Sequence, residues 1–174
     1  HPRFPSQLYW ISYSGTGISD GSNFIKTILR LAKERESLNV IQDQWGVPTL
    51  AHWLAGVSLD LILNAHGRLQ KITSGIYHVV PKGETNWYQL AGLAIQVALD
   101  SGVSLKLNPS QIQAIPAADY PMNALRPMNS RMSSDKLRKI ITASGNVSKL
   151  QRLDRPWAED VRAYIIELID KQVI

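Results

Sequence analysis

Apolar residues recur along this chain in two rhythms, and the switches between them mark out short strands and amphipathic helices. Leu8-Tyr9-Trp10-Ile11-Ser12-Tyr13-Ser14 is rich in aromatic and β-forming residues and predicts a strand. Gly15-Thr16-Gly17-Ile18-Ser19-Asp20-Gly21 follows as a loop, and Ser22 is placed to cap the next helix. On that helix Phe24, Ile28 and Leu31 share a face with Ile25, Leu29 and Ala32, and Lys33-Glu34-Arg35-Glu36 is the wet end. Leu38-Asn39-Val40-Ile41 predicts a second, buried strand. Leu50, Trp53, Leu54, Val57 and Leu61 then return at helical spacing, so a helix is expected to run to about His66.

The connection between those two elements is Asp43-Gln44-Trp45-Gly46-Val47-Pro48-Thr49. It leads from the carboxyl end of a strand into a helix, the rim at which α/β proteins bind ligands. Gly46 permits a turn, Pro48 fixes φ, and Thr49 can accept from the free N–H groups of the first helical turn. Gly75-Ile76-Tyr77-His78-Val79-Val80 predicts a third strand, ended by Pro81 and Gly83. A helix over about 85–101 buries Trp87, Leu90, Ala91, Ala94 and Val97, with Gly102 at its C′ position. Ile112-Gln113-Ala114-Ile115 predicts a short edge strand closed by Pro116. Residues 117–133 carry Pro121 and Pro127 without periodicity, and so long a loop in a compact domain is functional or disordered. A helix around 135–143 follows. Pro156 suits the first turn of a last helix, whose stripe is Trp157, Val161, Tyr164, Ile165 and Leu168. The alternation of strand and helix predicts an α/β fold with parallel strands, in a single unit over residues 1–174.

Composition narrows the class. The 174 residues are 44% hydrophobic and 19% charged, the balance of a globular chain. No apolar run approaches the roughly 20 residues of a membrane span, and His1-Pro2-Arg3-Phe4-Pro5 lacks the apolar core of a signal peptide. Cysteine is absent, which excludes disulfides and thiolate chemistry and fits a cytoplasmic location. The net charge of +5 suits an anionic ligand or nucleic acid. The densest basic group, Lys136-Leu137-Arg138-Lys139, reads as the solvated face of a helix. With no zinc-finger spacing, aromatic RNA-binding motif or basic arm, neither nucleic acid nor membrane is the expected partner.

Candidate chemistry lies in three places. Residues 15–21 offer glycines after a strand and before a helix, but Asp20 stands where a dinucleotide fingerprint needs its third glycine. None of the histidines pairs with another at zinc spacing, and His78 is the best placed for a site. Arg126-Pro127-Met128-Asn129-Ser130-Arg131-Met132 sets two guanidinium groups, an amide and a hydroxyl on a loop stiffened by Pro127. Such forks bind phosphate bidentately, unless carboxylates elsewhere occupy them. No tyrosine has a lysine four residues later, the pairing that lowers a phenol's pKa.

Four stretches, in the same order, resemble one family, the dTDP-4-dehydrorhamnose reductases. Gly21-Ser22-Asn23-Phe24-Ile25-Lys26-Thr27-Ile28-Leu29-Arg30-Leu31-Ala32 is similar to the family's Asn-Phe helix. Residues 38–49 resemble its Asp-Gln-x-Gly-x-Pro-Thr segment. Gly75-Ile76-Tyr77-His78 looks like its Gly-x-Tyr-His strand, and Tyr120-Pro121 with residues 126–132 looks like its Arg-Pro-x-Asn-Ser segment. The resemblance implies the carboxyl-terminal part of a Rossmann-like extended short-chain dehydrogenase/reductase with a small mixed α/β substrate-binding region. The reaction implied is NADPH-dependent reduction of dTDP-4-dehydro-L-rhamnose to dTDP-L-rhamnose for cell-surface polysaccharide.

Carried over, Asn23 and Phe24 border the nucleotide sugar, Gln44, Gly46, Pro48 and Thr49 shape the pocket wall, and Arg126, Asn129 and Arg131 hold the diphosphate. The family's Ser-Trp-x-Tyr strand is matched out of register by Trp10-Ile11-Ser12-Tyr13, which leaves Tyr13 as the residue carried over. The cofactor fingerprint and the Tyr-x-x-x-Lys pair have no match here, and in the family both lie upstream. The resemblance therefore implies that NADPH is bound mainly by an N-terminal half, that this chain alone carries no catalytic residue, and that Mg2+ serves some relatives. Half a parallel sheet exposes an edge, so the N-terminal half or a second copy is the expected partner. A non-catalytic regulatory or binding subunit derived from the same fold is the alternative.

Overall fold

The computed structural model of the protein describes residues 12–13, 23–64, 66–120, 126–145 and 147–174. Helix α1, Phe24–Glu34, starts where Asn23 turns extended and its Oδ1 accepts the Lys26 N–H at 3.0 Å. Asn23 is therefore the cap expected of Ser22, and it satisfies one of the orphan donors every helix start presents. The predicted face is the buried one: Ile25, Ile28, Leu29 and Ala32 are inside, and Lys33 and Glu34 are wet.

Strand β1, Ser12–Tyr13, and strand β2, Leu38–Ile41, come before and after α1. β2 pairs in parallel with β6, Ile112–Ile115, residue for residue from Leu38 opposite Ile112 to Ile41 opposite Ile115. The Gln42 N–H donates to the Ile115 carbonyl at 3.0 Å and extends the ladder by one rung. Asp43 Oδ1 then accepts the Ala117 N–H at 2.9 Å, which fixes the chain leaving β6 to the chain leaving β2.

Residues 43–49 are not a simple turn. They hold strand β3, Trp45–Gly46, antiparallel to β5, Thr85–Asn86, and are followed by β4, Thr49–Leu50, parallel to β1. Gly46 lies opposite Thr85 as an extended residue, and the described glycines with positive φ lie elsewhere, at Gly83 and Gly102 among others. The expected turn is overturned because both flanks find strand partners. Helix α2, Ala51–Ile62, is preceded by Leu50 with no side-chain cap, so Thr49 does not play that part. Its Oγ1 reaches back to the Val47 carbonyl at 3.4 Å. The helix stops four residues short of His66. Lys149 Nζ donates to the carbonyls of Asp60 (2.6 Å) and Leu63 (2.7 Å), placing a cation at the negative end of the helix dipole.

The third predicted strand, 75–80, does not form. Side chains meet its backbone at two residues instead: Lys136 Nζ donates to the Ile76 carbonyl at 2.9 Å, and Ser134 Oγ bonds both the N–H and the carbonyl of Val80 at 3.2 Å. Ser134 and Lys136 sit at the start of α4, Asp135–Ala143, so a helix terminus takes the place of a strand neighbour. The remaining helices are α3, Trp87–Asp100, the short α5, Leu150–Asp154, and α6, Trp157–Asp170. Pro156 is the N-cap of α6, one step earlier than the first turn. Gly102 follows the Ser101 cap of α3 with φ +83°, as its C′ position predicted.

Helix α3 is the centre of the core and packs on α1, α6 and β2. Leu90, Ala91, Ala94, Ile95 and Ala98 are all at most 1% exposed. Three alanines in that stripe let neighbouring backbones close in, while Leu90 and Ile95 fill the remaining space. The architecture is a mixed α/β fold with parallel β1–β4 and β2–β6 pairs and one antiparallel pair among the described residues.

Asn86 caps α3 by accepting the Gln89 N–H at 2.8 Å. Replacing Asn86 by Ala is expected to lower stability by about 1 kcal/mol through loss of that bond, measured by urea denaturation at unchanged m-value.

Candidate functional site

A cavity of about 470 Å³ opens between α1, β2 and the start of α3. One wall is apolar: Ile28 and Leu31 of α1 face Leu38 and Val40 of β2. The other is aromatic and polar, built from Phe24, Gln44, Trp87, Tyr120 and Arg126. Pockets of this make-up, mostly hydrophobic with few fixed polar groups, are the usual form of small-molecule sites.

Each polar member is put there by local structure. Gln44 follows the β2–β6 ladder and Asp43's clamp on Ala117, and it is 2% exposed. Its Oε1 accepts the Trp87 indole N–H at 3.2 Å. Its Nε2 is buried and has no hydrogen-bond partner among the described residues. Trp87 opens α3 directly after the Asn86 cap, and its ring lies 4.6 Å from that of Phe24 at a 53° tilt. Tyr120 closes a short 3-10 turn, Ala117–Asp119, whose first N–H is the one Asp43 holds. Arg126 is exposed and makes no ion pair with a described residue.

The sequence-predicted residues divide into groups. Phe24, Gln44 and Arg126, drawn from three different stretches of the chain, line one cavity. Asn23 does not line it: Oδ1 caps α1, and Nδ2 donates to the Tyr164 hydroxyl at 2.7 Å. Gly46, Pro48 and Thr49 are buried and do not line the cavity, with Gly46 and Thr49 in strands. Asn129 pairs its backbone with Trp45, and its Oδ1 accepts from both the N–H and Nε of Arg131. Arg131 Nη1 bonds Glu84 at 2.9 Å and its guanidinium stands 6.0 Å from the Trp45 ring centre. Its charge is thus already matched, whereas Arg126 lines the cavity without an ion pair to a described residue. Tyr13 is known by its backbone alone, opposite Leu50, and its side chain falls outside the described residues, as does the glycine loop 15–21. His78 is exposed and outside the cavity.

The sequence pattern places Trp87 on the buried face of its helix, and the structure finds it half-buried at the cavity. The signal for more was its chemistry: an indole at a helix start carries a donor that an aliphatic residue lacks, and a buried donor needs a partner. Among the described residues no group of three or more acidic, histidine or cysteine side chains is arranged to hold a metal.

Two titratable groups of α6 are shifted by their surroundings. Burial raises the Tyr164 phenol, against the opposing hydrogen bond from Asn23. Burial also raises Asp160, and Arg155 opposes it. Arg155 Nε comes within 2.9 Å of Asp160 Oδ1, yet neither carboxylate oxygen receives an aligned hydrogen bond.

Residues 10–168 match the family described as RmlD substrate binding domain. The chain is 42% identical over 130 residues to the dTDP-4-dehydrorhamnose reductase of Escherichia coli (strain K12), covering 75% of this chain and 40% of that protein. It is 34% identical over 134 residues to the enzyme of the same name from Burkholderia thailandensis, covering 75% and 45%. Among solved structures it is similar to the dTDP-4-dehydrorhamnose reductase of Bacillus anthracis in complex with NADP, with TM-score 0.62, 27% identity and coverage of 84% of this chain and 44% of that one. A dTDP-4-dehydrorhamnose reductase of Clostridium acetobutylicum gives TM-score 0.65 at 27% identity over 86% and 45%. The chain spans less than half the length of these relatives.

Because folding raises the pKa of Asp160 above 3.8, the folded state holds that proton more tightly than the unfolded state. The stability this group contributes is full at low pH and falls as pH rises through the folded pKa. Thermal melts of the wild type and Asp160→Asn between about pH 3 and pH 7 are expected to show the wild type losing ground to the variant as pH increases.

Proposed function

Because the chain belongs to the RmlD substrate binding domain family, we propose that it is the sugar-nucleotide-binding part of a dTDP-4-dehydrorhamnose reductase. The observation that carries this reading is the convergence of Phe24, Gln44 and Arg126 on one cavity. Aromatic and aliphatic walls suit a nucleobase, and a guanidinium at an exposed edge suits a diphosphate. Asn129, Arg131, Gly46, Pro48 and Thr49 do not line the cavity, and in this reading they act by holding the segment that carries Gln44. Asn23 sets the start of α1 and, with it, the position of Phe24.

The whole protein's reaction, in this reading, delivers a hydride from NADPH to the 4-keto carbon of dTDP-4-dehydro-L-rhamnose and a proton to its oxygen. The described residues do not fit NADPH. The two described helix starts at the cavity, those of α1 and α3, are closed by the side chains of Asn23 and Asn86, which leaves no free helix terminus for a pyrophosphate. No step of hydride or proton transfer is therefore assigned to them. They bind, orient and screen the sugar nucleotide, while a further segment or a second copy of the protein carries the redox machinery. No helix among the described residues is long and apolar enough to cross a membrane.

Calorimetric titration of the full-length protein with dTDP is expected to give saturable binding. Arg126→Ala should weaken it by about 10- to 100-fold, the usual loss of a charge-assisted contact, whereas Arg131→Ala should change it far less. Absence of saturable binding, or equal losses at the two arginines, overturns the assignment. A protein that captures a heterologous enzyme and binds no nucleotide sugar would instead be a regulatory subunit.

A further inference from the structure

Among the described residues Tyr120 is the one aromatic side chain left exposed, at 47%, and it lines the cavity. The other rings there, Phe24 and Trp87, are half-buried and lie 4.6 Å apart. An exposed ring keeps apolar surface in water until something flat covers it.

The fold fixes where that ring starts. Tyr120 ends the 3-10 turn Ala117–Asp119, and its N–H donates to the Ala117 carbonyl at 3.2 Å. Pro116 stands at the head of the turn and offers no side-chain cap. The Ala117 N–H is instead taken by Asp43 Oδ1 at 2.9 Å, from 74 positions away in the sequence. A carboxylate at the exit of β2 thus does for this turn what a neighbouring Ser or Asn does for most helix starts. The residue after Asp43 is Gln44, which lines the cavity, so one short segment locates both that wall and Tyr120.

We propose that Tyr120 is a ligand-binding residue that stacks on the nucleobase of the sugar nucleotide, and that Asp43 is the positioning residue that holds it in place. The inference rests on the sugar-nucleotide reading and adds two residues to it. The base is the flat, π-bonded part of such a ligand, whereas its sugars are puckered and its diphosphate is charged. An aromatic face therefore takes the base. A base lying on Tyr120 removes from solvent the one described ring that the fold leaves there. Asp43 does not line the cavity and acts through the Ala117 N–H. Holding the turn before the ligand arrives lowers the ordering cost of binding.

Calorimetric titration of the full-length protein with dTDP tests both assignments. Tyr120→Phe keeps the ring and is expected to bind as the wild type does. Tyr120→Ala should weaken dTDP by about 5- to 100-fold, the span of one base–aromatic stack. Tyr120→Leu, apolar but not flat, should lose nearly as much. Asp43→Ala is expected to weaken dTDP by about 3- to 10-fold when Tyr120 is present and by nothing further in a Tyr120→Ala protein. Asp43→Asn keeps an oxygen for the Ala117 N–H and should stay near the wild type. The non-additivity is the readout of positioning, because a carboxylate that serves stability alone leaves the two effects additive. Unchanged affinity in Tyr120→Ala or Tyr120→Leu, or a loss in Tyr120→Phe as large as in Tyr120→Ala, overturns the stack. An Asp43→Ala effect that persists in full without Tyr120 overturns the positioning role. A wild type with no saturable dTDP binding overturns the site reading and this inference together. Should Asp43→Ala fail to fold, Ala117→Pro completes the same cycle by removing the donor instead of the acceptor. Proline is tolerated at the first position of such a turn, and Pro116 already has the extended ψ of 154° that a following proline requires.

Discussion

The parallel pairing of β2 with β6 is the constraint from which the rest of the site follows. Residues 38–41 and 112–115 are far apart in sequence, and their in-register ladder brings two chain exits to the same edge. One exit delivers Gln44, and the other delivers Tyr120 through a short turn that Asp43 holds by its first N–H. Without the ladder, the amide and the phenol have no reason to share a cavity. The pairing also supplies the apolar wall, because Leu38 and Val40 point to the side that α1 covers.

A second dependence runs through Trp87. It starts the most deeply buried helix, so its position is fixed by the core rather than by the cavity. Its ring backs Phe24, and its indole N–H orients Gln44. The aromatic surface of the cavity and the amide in its wall are thus both referenced to α3. Rigid elements hold such groups more closely than loops do, which is where a recognition site needs its precision.

Much of this was legible in the sequence, for physical reasons that can be named. Helices with strong apolar stripes were readable: α4 and β6 occupy their predicted residues, and the buried faces of α1, α3 and α6 are the expected ones. Segments decided by distant partners were not. Val79 and Val80 look like strand residues, but Ser134 bonds the Val80 backbone and Lys136 the Ile76 carbonyl in place of a neighbouring strand. Gly46 looks like a turn residue, but Thr85 makes it a strand. The division between Arg126 and Arg131 was equally hidden, because only the fold brings Glu84 to the second of them. The family motifs pointed to the right stretches of chain, while the individual roles within each stretch came from tertiary contacts.

The bond between Asn23 and Tyr164 joins residues 141 positions apart. It ties the first turn of the helix that carries Phe24 to the last helix of the fold. During synthesis, that contact cannot form until nearly the whole chain has emerged. The aromatic surface of the cavity is therefore among the last features to become fixed, and a protein truncated before α6 would leave it unanchored even with every cavity-lining residue present.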